Sequence, residues 1–383
     1  MSEWLRSRIR FDRNELSGAF GDIGTDFPLL VGMIVVAGLD VTSSLVLFGA
    51  MQIFTGLFYG IPMPAEPLKA MAVIVITQKL SGNVLFGGGL AIGILMLLLT
   101  ITGLIDWLAR AVPKIVVRGI QLGLGLQLAQ LALKDYIPAE KNPGYVLAGI
   151  AFALTIALLG NRRFPPALLV ILLGMVYGFL YKIHIGDLAH SFGFSLPHFH
   201  VPARQDILTG LVVLAVPQLP LSLGNSVLAT RQVAEDLYPD RKFSIRQIST
   251  TYSLMNLVNP FFGGVPTCHG SGGMVGHYTF GARTGGSVVI YGTIYLALGL
   301  FLSRGFSTAI ELFPKPILGV ILLFEGINLT GLIRDQVASK ADFLLVILIG
   351  LMCVGLPYGY VIGLSLGTAL AYLSRYRLTG LGK

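Results

Sequence analysis

Four polar clusters interrupt an otherwise apolar chain of 383 residues. The longest is Asn259 to Gly286, NPFFGGVPTCHGSGGMVGHYTFGARTGG, where Cys268, His269, Gly270 and Ser271 stand between hydrophobic runs. Polar, breakable backbone at membrane depth is tolerated only where it is buried in protein or lines a cavity. The prolines Pro260 and Pro266 predict an extended lead-in, then a helix start with Thr267 or Ser271 near the cap. A helix N-terminus opening on a cavity favours an anion, because its free N–H groups and its dipole end both attract negative charge. The second cluster, Gly60 to Lys69 (GIPMPAEPLK), has three prolines that exclude a regular helix, with Pro67 near the first turn of a short helix that follows. Two such half-helices in inverted copies would bring their N-termini together near the midplane. Glu66 and Lys69, three apart, can pair on one face, either as a neutral structural pair or with Lys69 adding positive field to the site.

The third cluster is FGDIGTDFP (20–28), with Thr25 between Asp22 and Asp26. Carboxylates inside a hydrophobic span are functional by default, unless the span starts at Phe27 and leaves both in water. Buried, they are candidates for coupling to H⁺ or Na⁺ or for bracing the half-helices; neither suits direct contact with a dianion. In the fourth cluster, PQLPLSLGNS (217–226), Gln218, Ser222 and Asn225 share a face if the helix is regular. Neutral amides and hydroxyls donate hydrogen bonds without adding negative charge, which suits a multi-oxygen anion; ordinary helix–helix glue is the competing reading. His269 and His277 are eight apart with no acidic neighbour, so no metal and no cofactor is expected. The absence of a P-loop, of a Ser-His-Asp set and of an HExxH motif argues against a built-in ATPase and against an enzyme.

These clusters must be held by membrane helices. The chain is 54% hydrophobic and 12% charged, with a mean hydropathy of +0.77, far from a soluble domain. We read an all-α polytopic membrane protein of about fourteen transmembrane segments: 17–38, 42–60, 64–78, 84–107, 115–133, 144–159, 166–183, then 207–229, 246–263, 267–281, 286–303, 315–329, 341–355 and 357–374. No cleavable signal pattern opens it, and the chain stops at Lys383 without room for a cytoplasmic domain. With both termini cytoplasmic, all of the 27 Lys and Arg residues fall inside except Lys79, Lys134, Lys141, Lys182, Arg204, Arg304 and Lys315, and Lys69 within the membrane. The net charge of +8 therefore reports topology, and no nucleic-acid partner is expected. Cys268 and Cys353 lie in apolar segments, against a disulfide framework. Gly87 to Gly89 and Gly119 to Gly125 mark close helix packing, and His198-Phe199-His200 an interfacial stretch.

Three local similarities recur in order: FPLLVG (27–32) with LPLSLG (219–224), YGIP (59–62) with GGVP (263–266), and VPK (112–114) with FPK (313–315), at offsets of 192, 204 and 201. The chain reads as two copies, residues 1–183 and 207–383, joined by a polar linker at 184–206. Seven spans per copy, an odd number, makes the copies inverted, the architecture of secondary transporters.

FGDIGTDFPLL, PMPAEPLKA, RGIQLGLGL, VPQLPLSLGNSVLA and the long 259–286 block resemble the signature blocks of the molybdate transporter family in the sulfate-permease superfamily. The resemblance implies a seven-plus-seven inverted repeat with half-helices in spans 3 and 10, a core domain of spans 1–4 and 8–11, and a gate domain of spans 5–7 and 12–14. It implies a secondary active transporter that holds molybdate between the half-helices and works by alternating access; sulfate, a broader set of oxyanions, or an anion channel or receptor are the alternatives. Many sulfate permeases carry a C-terminal regulatory domain that the molybdate branch, like this chain, lacks. By position it points to Ala65, Glu66, Gln218, Ser222, Cys268, His269, Gly270 and Ser271 for substrate, with backbone N–H groups holding the oxygens. Asp22, Thr25, Asp26, Lys69 and Asn225 are then left to couple transport to H⁺ or Na⁺ or to brace the site. Related nucleobase permeases bear carboxylates where Gln218 and Ser271 stand, and losing two negative charges fits an oxyanion. A homodimer, by analogy, in a bacterial inner membrane completes the expectation.

Overall fold

The computed structural model describes residues 8–105, 107, 111–161, 166–181, 193–303, 305 and 313–380. Of the charge argument, Arg6, Arg110, Arg162, Arg163, Lys182, Arg304 and Lys383 lie outside the described residues, as do 184–192 of the expected linker.

Each of the fourteen apolar segments contains a helix. The first is a bent pair, α1 (Arg13–Ala19) and α2 (Ile23–Ala37), kinked by 44°. Then come α3 (Val41–Tyr59), strand β1 (Ala65–Pro67), α4 (Lys69–Gln78), α5 (Gly82–Ile101), α6 (Lys114–Leu131), α7 (Lys141–Ala157) and α8 (Pro166–Tyr181). The second half has α9 (Arg204–Leu237), α10 (Ile245–Val258), strand β2 (Thr267–His269), α11 (Ser271–Thr279), α12 (Gly286–Phe301), α13 (Lys315–Gly331), α14 (Lys340–Gly355) and α15 (Gly359–Gly380). Five helical stretches among the described residues, or six with the bent pair, are long and apolar enough to cross a bilayer unaided; α4, α8, α12 and the Gly359–Ser374 part of α15 are shorter apolar helices. One of the five, Lys114–Ala157, covers both α6 and α7. Its 44 residues would extend about 66 Å as one helix, twice the hydrocarbon thickness, and Lys141, at a φ of 52°, turns the chain between the two.

Local chemistry sets the boundaries. Asp12, Asp40, Ser81, Ser244 and Ser339 cap α1, α3, α5, α10 and α14 through side-chain oxygens. Gly60 and Gly263, at φ of 65° and 69°, supply the left-handed turn that ends the helix before each proline-rich lead-in. Pro113 and Pro314, partners in the sequence repeat, both sit extended just before α6 and α13.

The helices pack as two groups. One joins α3 to α12, α5 to α9 and α10, and α2 to α4; the other joins α6 to α13 and α14, α14 to α15, and α13 to α7. They meet where α4 and α9 touch α6, and where α2 touches α13 and α8. The glycine runs serve this packing as expected. A methyl at Gly87 would strike the backbone of Asp206, one at Gly89 would strike Pro266 and Pro260, and one at Gly125 would strike α13 at Gly326 and Thr330. Of the described part of the linker, 193–206, residues 193–203 run without helix over the first group, with amides at Gly193, Ser195 and His200 bonded to the carbonyls of Phe301, Leu300 and Phe261, while 204–206 already belong to α9.

Candidate anion site

The site is built on two crossing strands. β1 and β2 pair antiparallel, with Ala65 opposite His269, Glu66 opposite Cys268 and Pro67 opposite Thr267. Each strand runs straight into a half-helix, so antiparallel pairing makes α4 and α11 leave a common centre in opposite directions, N-termini inward. Three residues separate those termini, about 10 Å at strand rise. Each strand is gripped by an amide from the preceding helix. Gln52 donates to the Ala65 carbonyl (2.7 Å) and accepts from its N–H (3.0 Å). Asn256 does the same at Thr267, donating to its carbonyl (2.6 Å) and accepting from its N–H (3.0 Å). Gln52 and Asn256 are 204 positions apart, as are the YGIP and GGVP motifs, so the clamp is a repeat feature that sequence inspection missed.

The capping differs from the sequence expectation. Thr267 lies in β2, Ser271 is the first residue of α11, and Gly270 occupies the cap position without a side-chain bond. The cap comes from the other repeat: Glu66 Oε1 accepts from the Gly273 N–H at 2.9 Å. Pro67 likewise ends β1 rather than opening α4, whose first-turn N–H groups at Ala70 (2.9 Å) and Met71 (3.2 Å) are taken by Gln218 Oε1 from α9. Three of the amides expected to hold substrate oxygens are therefore filled by side chains. Gln218 can reach because α9 is not regular: π-type turns at Leu211–Ala215 and Ser222–Ala229 widen it. Of the expected stripe, Gln218 and Ser222 stay in contact, whereas Asn225 bonds α11 instead. Gln218 Nε2 donates to Ser222 Oγ (3.2 Å), Ser222 Oγ bonds the Tyr252 hydroxyl (2.7 Å), and Asn225 Oδ1 accepts from Ser271 Oγ (3.3 Å).

Charge gathers beside the strands. Lys69 Nζ lies 3.6 Å from Glu66 Oε2 and 3.5 Å from Glu325 Oε1 on α13, a residue the sequence reading did not single out. Asp22 and Asp26 are buried, so the first span begins before both and neither sits in cytoplasmic water. Asp22 Oδ2 and both Asp26 oxygens have no hydrogen-bond partner. The Tyr291 hydroxyl approaches Asp26 without closing a bond, and the Asp22 carboxylate faces Glu66 across Gly273. Thr25, half-buried, donates its amide to the Asp22 carbonyl within the same turn. Four buried carboxylates, Asp22, Asp26, Glu66 and Glu325, thus gather around one lysine, so acids outnumber cations in this cluster.

Several expected ligands are used structurally. His269 is fully buried, its Nε2 at 2.7 Å from Thr251 Oγ1 and its ring edge-on to Tyr59. His277 Nδ1 bonds Ser287 Oγ (3.2 Å), well apart from the His269 network. Cys268 and Cys353 are buried free thiols. Among the described residues no group of three or more His, Cys, Asp or Glu is arranged to hold a metal ion. Glu15, also missed, is a structural anion: buried, it accepts from the amides of Arg283, Thr284 and Ser287 at 2.8–2.9 Å and caps α12.

Between the packing groups lies a cavity of about 550 Å³ lined by Lys114, Arg118 and Gln121 of α6 and by Gly224, Asn225 and Gln232 of α9. Its described lining carries two cations and no carboxylate. The Asn225–Ser271 bond joins its wall to the start of α11, where Gly272 is exposed and a methyl would meet open space. Arg118 is held at the rim by Asp335 in a bidentate pair (2.6–3.0 Å) and reaches Gln121 at 2.8 Å. At the C-terminal end of α4 the groups are in contact: Thr77 Oγ1 donates to Gln127 Oε1 (3.2 Å), which also accepts from the Tyr360 hydroxyl (2.7 Å). Arg118, Gln121, Gly224 and Gly272 lie inside the signature blocks but were not singled out as site residues; only the meeting of α6 with α9 and α11 brings them together.

A family model described as a molybdate transporter of the MFS superfamily matches residues 14–128 and 210–329. The chain is 34% identical to molybdate transporter 1 of Arabidopsis thaliana, over 90% of this chain and 84% of that protein. With molybdate transporter 2 of the same plant it shares 32%, over 98% and 90%. Among solved structures, the murine solute carrier 26 family member A9, an anion transporter in its inward-facing state, matches with a TM-score of 0.71 at 13% identity, over 97% of this chain and 70% of that one. The half-helix centre and the cation-lined cavity thus sit in a multi-pass membrane transporter of sulfate-permease fold, and the chain belongs to the molybdate transporter family.

Proposed function

We propose that this protein is a secondary active transporter of molybdate, binding the dianion at the N-terminus of α11. The observation that carries this reading is the α11 terminus: Gly272 is exposed to open space, and Ser271 bonds Asn225 in the wall of a cavity whose described lining has Lys114 and Arg118 but no acid. Helix N–H groups and a neutral hydroxyl and amide favour a tetrahedral oxyanion there. The names of the plant relatives select molybdate among such anions. Ala65, Glu66, Gln218, Ser222, Cys268, His269 and Gly270 act around this point as scaffold and caps, while Ser271 and Asn225 meet the substrate.

The two packing groups act as core and gate: the first holds α1–α5 and α9–α12, the second α6–α8 and α13–α15. The matched clamps at Gln52 and Asn256 support an inverted repeat with fourteen spans. With the cavity open at the basic rim of α6 and the Thr77–Gln127–Tyr360 contact closed, the present state faces the cytoplasm, both termini on that side by the positive-inside bias. Asp22 and Asp26 couple the dianion to H⁺ or Na⁺, since uptake against an inside-negative potential needs compensating cations. The inner membrane of a bacterium is the host membrane proposed from the sequence, although the named relatives are plant proteins; a homodimer is proposed by analogy alone.

The test is uptake of labelled molybdate into proteoliposomes, with sulfate as competitor and Ser271→Glu as control. Saturable uptake with counterflow, little inhibited by excess sulfate and abolished by the carboxylate, is expected. Equal competition would make the substrate oxyanions in general; flux without saturation or counterflow would make the protein a channel; no uptake by the unaltered protein would overturn the reading.

A further inference from the structure

We infer that Glu325 on α13 is a coupling residue of the gate: it must take a proton each time the core leaves it. The inference rests on the alternating movement proposed above. Lys69 travels with α4 and Glu325 stays with α13, yet in this structure the two are an ion pair across the contact between the packing groups, at 3.5 Å and nearly out of water. Separation treats the partners unequally. Lys69 keeps Glu66, three residues away on its own segment and moving with it, at 3.6 Å. Glu325 keeps nothing, for Lys69 is the only cation within ion-pair distance of it among the described residues.

The surroundings offer Glu325 no substitute. From α2 it faces Asp26, another acid. From α6 this part of α13 meets Gly125, Leu128 and Ala129, and from α7 the ring of Phe152 against Phe324. The loop after α6 touches α13 with Tyr136 and Ile137 at Gly319, and α8 touches the start of α13 with Gly174 against Phe313 and Ile317. The basic residues of α6, Lys114 and Arg118, are engaged with Asp335 at the cytoplasmic rim. A carboxylate stripped of its one cation among apolar neighbours is strongly disfavoured, and adding a proton removes the charge.

The charges balance with one proton per separation, taken up from the water on the side to which the core has then opened. Before it, Lys69, Glu66 and Glu325 sum to one negative charge; afterwards Lys69 with Glu66 is neutral and Glu325, as the acid, is neutral. When the core returns, Lys69 restores the pair and the proton leaves to the water on the side then open. Glu325 is thereby distinct from Asp22 and Asp26, which ride on the moving group and accompany the substrate.

The test compares two fluxes in proteoliposomes made without sodium: molybdate exchange at equal pH, and net accumulation driven by an imposed pH gradient. For the wild type the gradient is expected to raise net uptake at least tenfold. In Glu325→Gln the neutral amide needs no proton, so exchange persists while the gain from the gradient falls at least threefold below the wild-type value, any remainder being carried by Asp22 and Asp26. Glu325→Asp keeps a titrating carboxylate and is expected to keep the gradient response; it also serves if the Gln variant does not fold, which gel filtration reads directly. A gradient response of wild-type size in Glu325→Gln, its loss in Glu325→Asp with exchange intact, or wild-type uptake driven by sodium and not by protons would each overturn the inference. Absence of any molybdate flux in the wild type would instead reject the transport reading itself.

Discussion

Gly270 and Gly272 are two glycines apart by one residue for which a single methyl has opposite expected consequences. At Gly270 the backbone (φ −106°, ψ 117°) suits alanine, so no conformational penalty arises, but the added carbon would overlap the Glu66 carboxylate, far inside contact distance. Glu66 is fully buried and cannot swing into water, so the clash is relieved by withdrawing it from the Gly273 N–H that it accepts at 2.9 Å. Loss of a hydrogen bond to a charged acceptor costs about 1.5–3 kcal/mol, a factor of roughly ten to a hundred in the folding equilibrium. The separation from Lys69 adds to this. At Gly272 the methyl meets nothing within 4 Å, so stability is unchanged or slightly gained, whereas space beside the proposed anion site is lost. Unfolding in mixed micelles of denaturing and mild detergent, read beside the molybdate concentration dependence of uptake, separates the two. Gly270→Ala should unfold earlier by the stated amount, and Gly272→Ala should fold as wild type with a KM raised about tenfold, the cost of about 1.4 kcal/mol in binding. Equal stability of Gly270→Ala and wild type would refute the account of Glu66 as the cap of α11; an unchanged KM in Gly272→Ala would remove the anion from that terminus.

Two further outcomes are expected. Gln218→Leu strands the buried amides of Ala70 and Met71, each worth about 1–3 kcal/mol, and should abolish folded yield; Gln218→Glu retains the acceptor, so it should fold while uptake falls at least tenfold through the added negative charge, as size-exclusion and flux assays would show. Gln52→Ala and Asn256→Ala each free one N–H and one carbonyl of a paired strand, so unfolding titrations should show losses of about 2–6 kcal/mol that agree within about 1 kcal/mol; a large disparity would break the equivalence of the clamps.

Much of this architecture was legible from residue order. Hydrophobic length located a helix in every expected segment, because backbone groups in lipid must be satisfied within the helix itself and leave few alternatives. The glycine and proline spacing of YGIP and GGVP announced two equivalent breaks, since the left-handed turns at Gly60 and Gly263 and the proline-stiffened lead-ins are properties of the local chain. Burial of Asp22 and Asp26 was one of two readings open from the sequence, and packing against the half-helix centre decided it.

What the sequence could not determine were partnerships between the two halves. Glu66 caps a helix more than two hundred residues away, Gln218 fills the terminus of α4, and Glu325 meets Lys69 across the two helix groups. No spacing rule predicts such pairs, because each depends on the antiparallel strands and on π-type turns that re-aim side chains along α9. Local steric and hydrogen-bonding demands placed the helices and breaks; only tertiary packing, which brings distant charges into a shared low-dielectric interior, decided which half-helix amides are filled by side chains.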